Sequence, residues 1–193
     1  MFKTPRLFLI DTFGLIFRAY HARARAGAPL MRTAAGLPTE AVYIFGNMLR
    51  KLIEKHQPEY LAAVWEGRGP TFRDEIFPSY KANRDETPDD LIRQMPYIER
   101  LLEANAVPVF AEDGYEADDV IGALACQATN HDVEVYVVSS DKDLTQLVGD
   151  RVFVLNPMKG DLVYDAETVK EAMGVEPAQV IDLLALKGDS VDN

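Results

Sequence analysis

The chain has 193 residues, 48% hydrophobic and 26% charged, the balance of one folded domain with a substantial core rather than a disordered chain. No apolar run approaches the roughly 20 residues of a membrane helix, and Asp11 breaks the short N-terminal apolar stretch with no cleavage-type sequence after it, which argues against a membrane span or a secretory leader. The net charge of −11 argues against a nucleic-acid partner on composition alone, yet nine of the 31 acids fall in the clusters below, and without them the chain is close to neutral.

In chain order, Leu7–Ile10 is expected as a short buried strand. Glu40–His56 has apolar residues at helical spacing (Val42, Phe45, Leu49, Leu52, Ile53), with Thr39 as a cap and Pro58 beyond its end. Leu61–Trp65 reads as a strand, and residues 66–84, with Gly67, Gly69, Pro70 and Pro78, as a loop. Thr87-Pro88 opens a helix running to about Ala104, with Pro96 predicting a kink. Val107–Phe110 is a further strand and Ala117–Gln127 a helix. The only cysteine, Cys126, lies in an apolar run of that helix and is expected as a small core residue. It cannot form an internal disulfide, which fits a reducing, cytoplasmic compartment. Val133–Ser139 is the clearest strand, and Lys142–Val148 a short helix. Arg151–Leu155 and Leu162–Tyr164 read as strands around a turn. Asp165 caps a helix that Gly174 stops, and Pro177–Lys187 is the last helix, ended by Gly188. Strands alternating with helices predict one α/β domain over residues 1–193, its mostly parallel sheet covered on both faces.

Three expected strands end in acids: FLI in Asp11, AVW in Glu66, and VVSS in Asp141 and Asp143. Open α/β sheets bind ligands beyond the carboxyl ends of their strands, so these acids converge if the strands are parallel neighbours. Glu116, Asp118 and Asp119 sit at the start of a helix, residues 116 and 119 sharing a face. Asp189 and Asp192 are likewise three apart. Carboxylates packed this way repel and resist ionising, and no matching set of Lys and Arg accompanies them. Oxygen-only ligands select Mg²⁺ or Mn²⁺ over zinc, and this many suggest two ions about 3.5–4 Å apart in a phosphodiesterase. Any one of Asp118, Asp189 or Asp192 alone reads as a cap or a solvated surface acid; the signal is the set. Asp165 and Glu167 are assigned to capping.

Arg68, Arg73, Lys81 and Arg84 alternate with Phe72, Phe77 and Tyr80, a pattern suited to a phosphate backbone with stacked bases. Asp74 and Glu75 dilute it. Arg18, Tyr20 and His21 follow Asp11 closely and are candidates for the same cleft, with core packing the alternative for Tyr20.

GPTFR (69–73), YKANR (80–84), GYEADDVIG (114–122), SSDKDLTQLV (139–148) and GDSVDN (188–193) together resemble the 5′ nuclease domain of bacterial DNA polymerase I, a relative of the flap endonucleases. The resemblance runs from about residue 7 to the end. It implies a PIN-like (resolvase-like) fold with an arch region at about 67–90. It also implies a structure-specific nuclease that acts on DNA 5′ flaps, 5′ ends and RNA primers; the domain it resembles is the nuclease part of a DNA polymerase, which makes a polymerase domain a candidate partner. The same resemblance makes Asp11, Glu116, Asp118, Asp119, Asp141, Asp143, Asp189 and Asp192 metal-site acids. Lys81 and Arg84 become arch residues at the scissile phosphate, with Arg73 helping to hold phosphate.

The sequence departs from the pattern in three places. Glu66 stands where the family has aspartate; it can still ligate, but a methylene longer, which predicts reduced activity. Thr12 stands where glycine usually follows the first acid and is expected to crowd that turn. The chain stops at Asn193, where family members continue into a helix-hairpin duplex-binding segment, so a fragment is expected. Glu66 and the missing segment motivate the alternative of a non-catalytic nucleic-acid-binding module. An aspartyl phosphatase is disfavoured by Phe13, which stands where a second Asp is wanted, and a PIN-type RNase by the arch-like phrase.

Overall fold

The computed structural model describes residues 4–188 apart from 26, 28, 30 and 83–85; Arg84, Asp189 and Asp192 therefore lie outside the described residues. The chain opens with strand β1 (Arg6–Asp11) and helices α1 (Thr12–Arg25) and α2 (Glu40–His56). Strand β2 (Tyr60–Val64) leads into the short helices α3 (Phe72–Ile76) and α4 (Asp89–Ile92), then α5 (Met95–Ala104). Next come β3 (Val109–Phe110), α6 (Ala117–Thr129), β4 (Glu134–Val138) and a 3₁₀ turn at Asp143–Leu147. The described chain ends with β5 (Val152–Asn156), β6 (Leu162–Tyr164), α7 (Ala166–Met173) and α8 (Val180–Lys187).

The strands form one sheet in the order β3-β2-β1-β4-β5-β6, parallel throughout except for β6. Successive side chains of a strand point to opposite faces. Phe8 and Ile10 therefore join Ala63, Val138 and Leu155 under α1, α2, α4 and α5, where Leu15, Phe45, Leu49, Leu91, Ile98 and Leu102 are buried. Leu9 faces the other way, with Ala62, Val64, Val135, Val137 and Val154, against Ala117, Ile121 and Ala125 of α6. A sheet covered on both faces needs continuous apolar strands, which RLFLID and EVYVV supply. The expected mostly parallel α/β architecture is the one observed. No helix among the described residues is long and apolar enough to cross a membrane.

Residues 12–25, for which the sequence reading gave no element, form α1. The helix expected over 88–104 is two helices with a break at Arg93 and Gln94, and Pro96 sits in the first turn of α5 rather than at a kink. Gln94 is fully buried. Its Oε1 accepts the Ala41 N–H at 2.8 Å, its Nε2 donates to the Asp90 carbonyl, and it thus ties the break to the first turn of α2. Cys126 is exposed, not core. α6 turns Ile121 and Ala125 to the sheet, and one further residue rotates Cys126 by roughly 100° away from it.

Candidate metal centre

Because β2, β1 and β4 are parallel neighbours, their carboxyl ends emerge along one edge of the sheet. Asp11 is the last residue of β1, Glu66 lies two residues past β2, and Asp141 three past β4. α6 begins at the same edge, since β3 pairs parallel to β2, and its first turn brings Glu116, Asp118 and Asp119.

Asp11 is 6% exposed. Its Oδ2 accepts from Ser139 Oγ at 2.7 Å and its Oδ1 from the Gly14 N–H at 3.1 Å. Burial nevertheless pushes the Asp11 carboxyl up, and Asp141 adds to the effect. Ser139 Oγ also accepts the Asp141 N–H at 3.0 Å, so one buried hydroxyl joins the exits of β1 and β4. Sequence reasoning missed Ser139; its signal was the serine pair between the β4 run and Asp141. It also missed Gly14, where a Cβ would stand 2.4 Å from Asp11 Oδ2. The glycine that the turn requires is this one. Thr12 is fully buried, its hydroxyl donating to the Ile10 carbonyl at 3.2 Å.

Glu66 Oε2 accepts the N–H of Ala117, the first residue of α6, at 3.0 Å. Burial raises its carboxyl, and Glu116 and Asp11 raise it further. Asp118 is pushed up to about 7, first by desolvation and then by repulsion from Asp11, Asp141, Glu66 and Glu116. Asp118 is nonetheless an exposed residue, so water screens much of that repulsion. Asp141 receives the Asp143 N–H at 3.0 Å and has the Arg18 guanidinium at 3.6 Å. Asp143 opens the 3₁₀ turn beside it.

The other two acids of α6 already hold cations. Glu116 accepts from Lys81 Nζ at 2.7 Å and Tyr80 Oη at 3.3 Å, with Arg73 at 3.8 Å. Asp119 takes both arms of Arg73, at 2.6 and 2.8 Å. Arg68 is exposed on the loop after β2, its backbone N–H held by Asp113 at 2.8 Å. Tyr20 packs against the core, and the charges acting on it are Asp90, Glu40 and Arg32, none of them in the acidic cluster. His21 lies against Phe17 and Tyr20.

Among the described residues, no three acidic, histidine or cysteine side chains form a ready-made metal site. The donor set still fits a divalent cation. It is all oxygen, which suits hard ions, and desolvation first, then repulsion from neighbouring acids, holds Asp11, Glu66 and Asp118 each above its ordinary value.

The family described as 5′-3′ exonuclease, N-terminal resolvase-like domain, matches residues 6–174. The chain belongs to this family. The 5′-3′ exonuclease of Aquifex aeolicus is 41% identical over 187 residues, 97% of this chain and 63% of that protein. DNA polymerase I of Synechocystis is 40% identical over 199 residues, 98% of this chain and 20% of its own length. The chain thus spans about a fifth of the polymerase that it matches and under two thirds of the exonuclease. Among solved structures, bacteriophage T5 5′-exonuclease with divalent zinc ions bound superimposes with a TM-score of 0.74 at 23% identity, over 97% of this chain and 68% of that one. The likeness shows that the fold is the expected resolvase-like one.

Proposed function

We propose that this exonuclease-family domain is a divalent-metal-dependent phosphodiesterase that hydrolyses DNA at 5′ ends and 5′ flaps. The observation that carries the reading is the convergence of Asp11, Glu66, Glu116, Asp118 and Asp141 at one sheet edge. Two relatives support it: the Aquifex protein is a 5′-3′ exonuclease, and a T5 flap endonuclease has been seen with DNA and metal ions.

In this reading Asp11, Asp118 and Asp141 would hold Mg²⁺ or Mn²⁺, two ions in all, with Glu66, Glu116 and Asp143 as further ligands; Asp189 and Asp192, outside the described residues, are assigned to the set by the resemblance. Such ions supply acidified water and neutralise charge on the phosphoryl oxygens. Ser139 fixes Asp11 relative to Asp141, so that two ligands from different strands keep one spacing. Lys81 would exchange Glu116 for the scissile phosphate, Arg84, outside the described residues, is assigned to the same contact by the resemblance, and Arg18 and Arg68 would meet the strand beside it. No serine, cysteine or histidine is required as nucleophile. The reaction would belong to replication and repair in the cytoplasm, with RNA primers among the substrates and a polymerase domain as a candidate partner, as in the DNA polymerase I relatives.

The test is cleavage of a 5′-labelled flap with Mg²⁺ or Mn²⁺, with EDTA and Asp141→Ala as controls. Cutting that EDTA and the substitution both abolish is the expected result; cutting that survives Asp141→Ala rejects the site. One observation favours a second reading, a binding module without cleavage: Glu66 spends a carboxylate oxygen on α6. Binding of the flap without cutting, restored to cutting by Glu66→Asp, would mark that case.

A further inference from the structure

We propose that Arg73 and Asp119 form a positioning clamp that seats the Lys81 segment on α6, and that Asp119 is not a metal ligand nor Arg73 a phosphate contact. The functional side of this rests on the nuclease reading; the clamp itself rests on geometry.

Both Asp119 oxygens are engaged. Oδ2 meets Arg73 Nη1 at 2.6 Å and Oδ1 meets Nη2 at 2.8 Å, while Oδ2 also accepts the Glu116 N–H at 3.1 Å. A two-armed guanidinium–carboxylate pair is among the stronger and more directional polar contacts. An incoming ion would have to break it and uncap the helix. Asp118 and Asp119 are adjacent yet point apart, because one residue is about 100° of helix. The charges acting on Asp118 are Asp11, Asp141, Glu66 and Glu116. The partner dominating Asp119 is Arg73, which holds its carboxyl below the ordinary range.

On the other side, Arg73 uses both terminal nitrogens and lies over the Phe72 ring at 4.5 Å. The Phe72 N–H donates to the Gly114 carbonyl at 3.1 Å, a second fastening between α3 and the approach to α6. From this anchor the chain turns through Phe77 and Tyr80 to Lys81, which adopts a left-handed φ of 53° and reaches Glu116 at 2.7 Å. One segment is therefore tied twice to a single helical turn. The inner tie, through Arg73, fixes where the outer one, through Lys81, can reach.

Two measurements on the chain test this. The first is Mn²⁺ binding followed by electron paramagnetic resonance on Arg73→Gln/Asp119→Asn, which leaves net charge unchanged and keeps a residue able to cap the helix. The ion count should be that of the unsubstituted chain and the affinity within about threefold, whereas Asp118→Asn weakens binding by about tenfold or more. A loss in the double variant as large as that of Asp118→Asn overturns the proposal. The second is the rate at which Lys81 is labelled by an amine-reactive reagent, read by mass spectrometry without metal. Arg73→Gln and Asp119→Asn should each raise it several-fold to one common level, and the double variant no further. An unchanged rate, or additive increases, also overturns the clamp. A chain that binds no Mn²⁺ at all would sink the nuclease reading while the labelling experiment still decides the clamp.

Discussion

Asp118 and Asp119 have the same side chain on the same helical turn and opposite surroundings. Desolvation and then repulsion from four other carboxylates push Asp118 up to about 7, while Asp119 faces Arg73 and is pulled down. Replacing Asp118 by Asn should therefore do two things of opposite sign. Cleavage should fall by roughly 10²-fold or more, the scale set by deleting one electrostatic element of a site. The melting temperature in EDTA should rise, because a repelled charge has gone and no hydrogen bond or ion pair among the described residues goes with it. A lowered melting temperature would mean that Asp118 has an unseen structural partner. Glu66 makes the complementary case. Its extra methylene is used to reach the Ala117 N–H at 3.0 Å, so Glu66→Asp should lose that bond and about 1 kcal/mol of stability, measured by urea unfolding. Unchanged stability would show that the longer side chain is incidental to the packing of α6.

Elements became legible where local chemistry and tertiary context agree. β4 is a β-branched run between polar residues, and α7 carries both its signals, Asp165 accepting the Thr168 N–H at 2.8 Å and Gly174 at φ 80°. The edge where the acids meet was legible for the same reason, since parallel strands ending in acids leave little freedom. What stayed hidden depends on contacts distant in sequence. The break before α5 is set by Gln94 reaching α2 53 residues away, and no pattern within 88–104 announces it. α1 stayed hidden; Gly14 lies in its first turn, where glycine ordinarily signals a break. That glycine answers to the Asp11 carboxylate lying against it. The pairing of Arg73 with Asp119 was equally invisible, because a basic residue among aromatics suggests a ligand outside the chain rather than a partner 46 residues on. The β1–α1 corner yields its own prediction. In Gly14→Ala the new methyl would stand 2.4 Å from Asp11 Oδ2, so either the carboxylate or the helix start must move. Overpacking of this kind costs about 1–3 kcal/mol, and here it also displaces a proposed metal ligand. Urea unfolding and Mn²⁺ affinity should both weaken; if only stability falls, Asp11 tolerates the shift.

At the scale of the whole molecule, the acidic edge makes stability depend on pH and metal together. Asp11, Glu66 and Asp118 all lie above their ordinary values in the folded chain. Between about pH 4, where free carboxyl groups ionise, and about 7, where Asp118 does, these three acids hold more protons in the folded state than in the unfolded one. Stability then falls as pH rises through that window. His56 acts in the opposite sense: burial lowers its value, so the unfolded chain holds the extra proton and stability rises with pH near neutrality. The two contributions separate by substitution. In EDTA, the unsubstituted chain should lose more stability from pH 5 to pH 8 than Asp118→Asn does, with His56 common to both. Saturating Mg²⁺ should reverse the trend, because an ion bound only by the folded state adds about 2.7 kcal/mol at a hundred times its dissociation constant, and deprotonated ligands bind it best. Melting curves at the two pH values, with EDTA and with Mg²⁺, give all four corners of this cycle. Parallel pH profiles for the two proteins in EDTA would mean that the carboxylates at the sheet edge do not burden the fold, and the argument that their charge calls for a cation would fail with it.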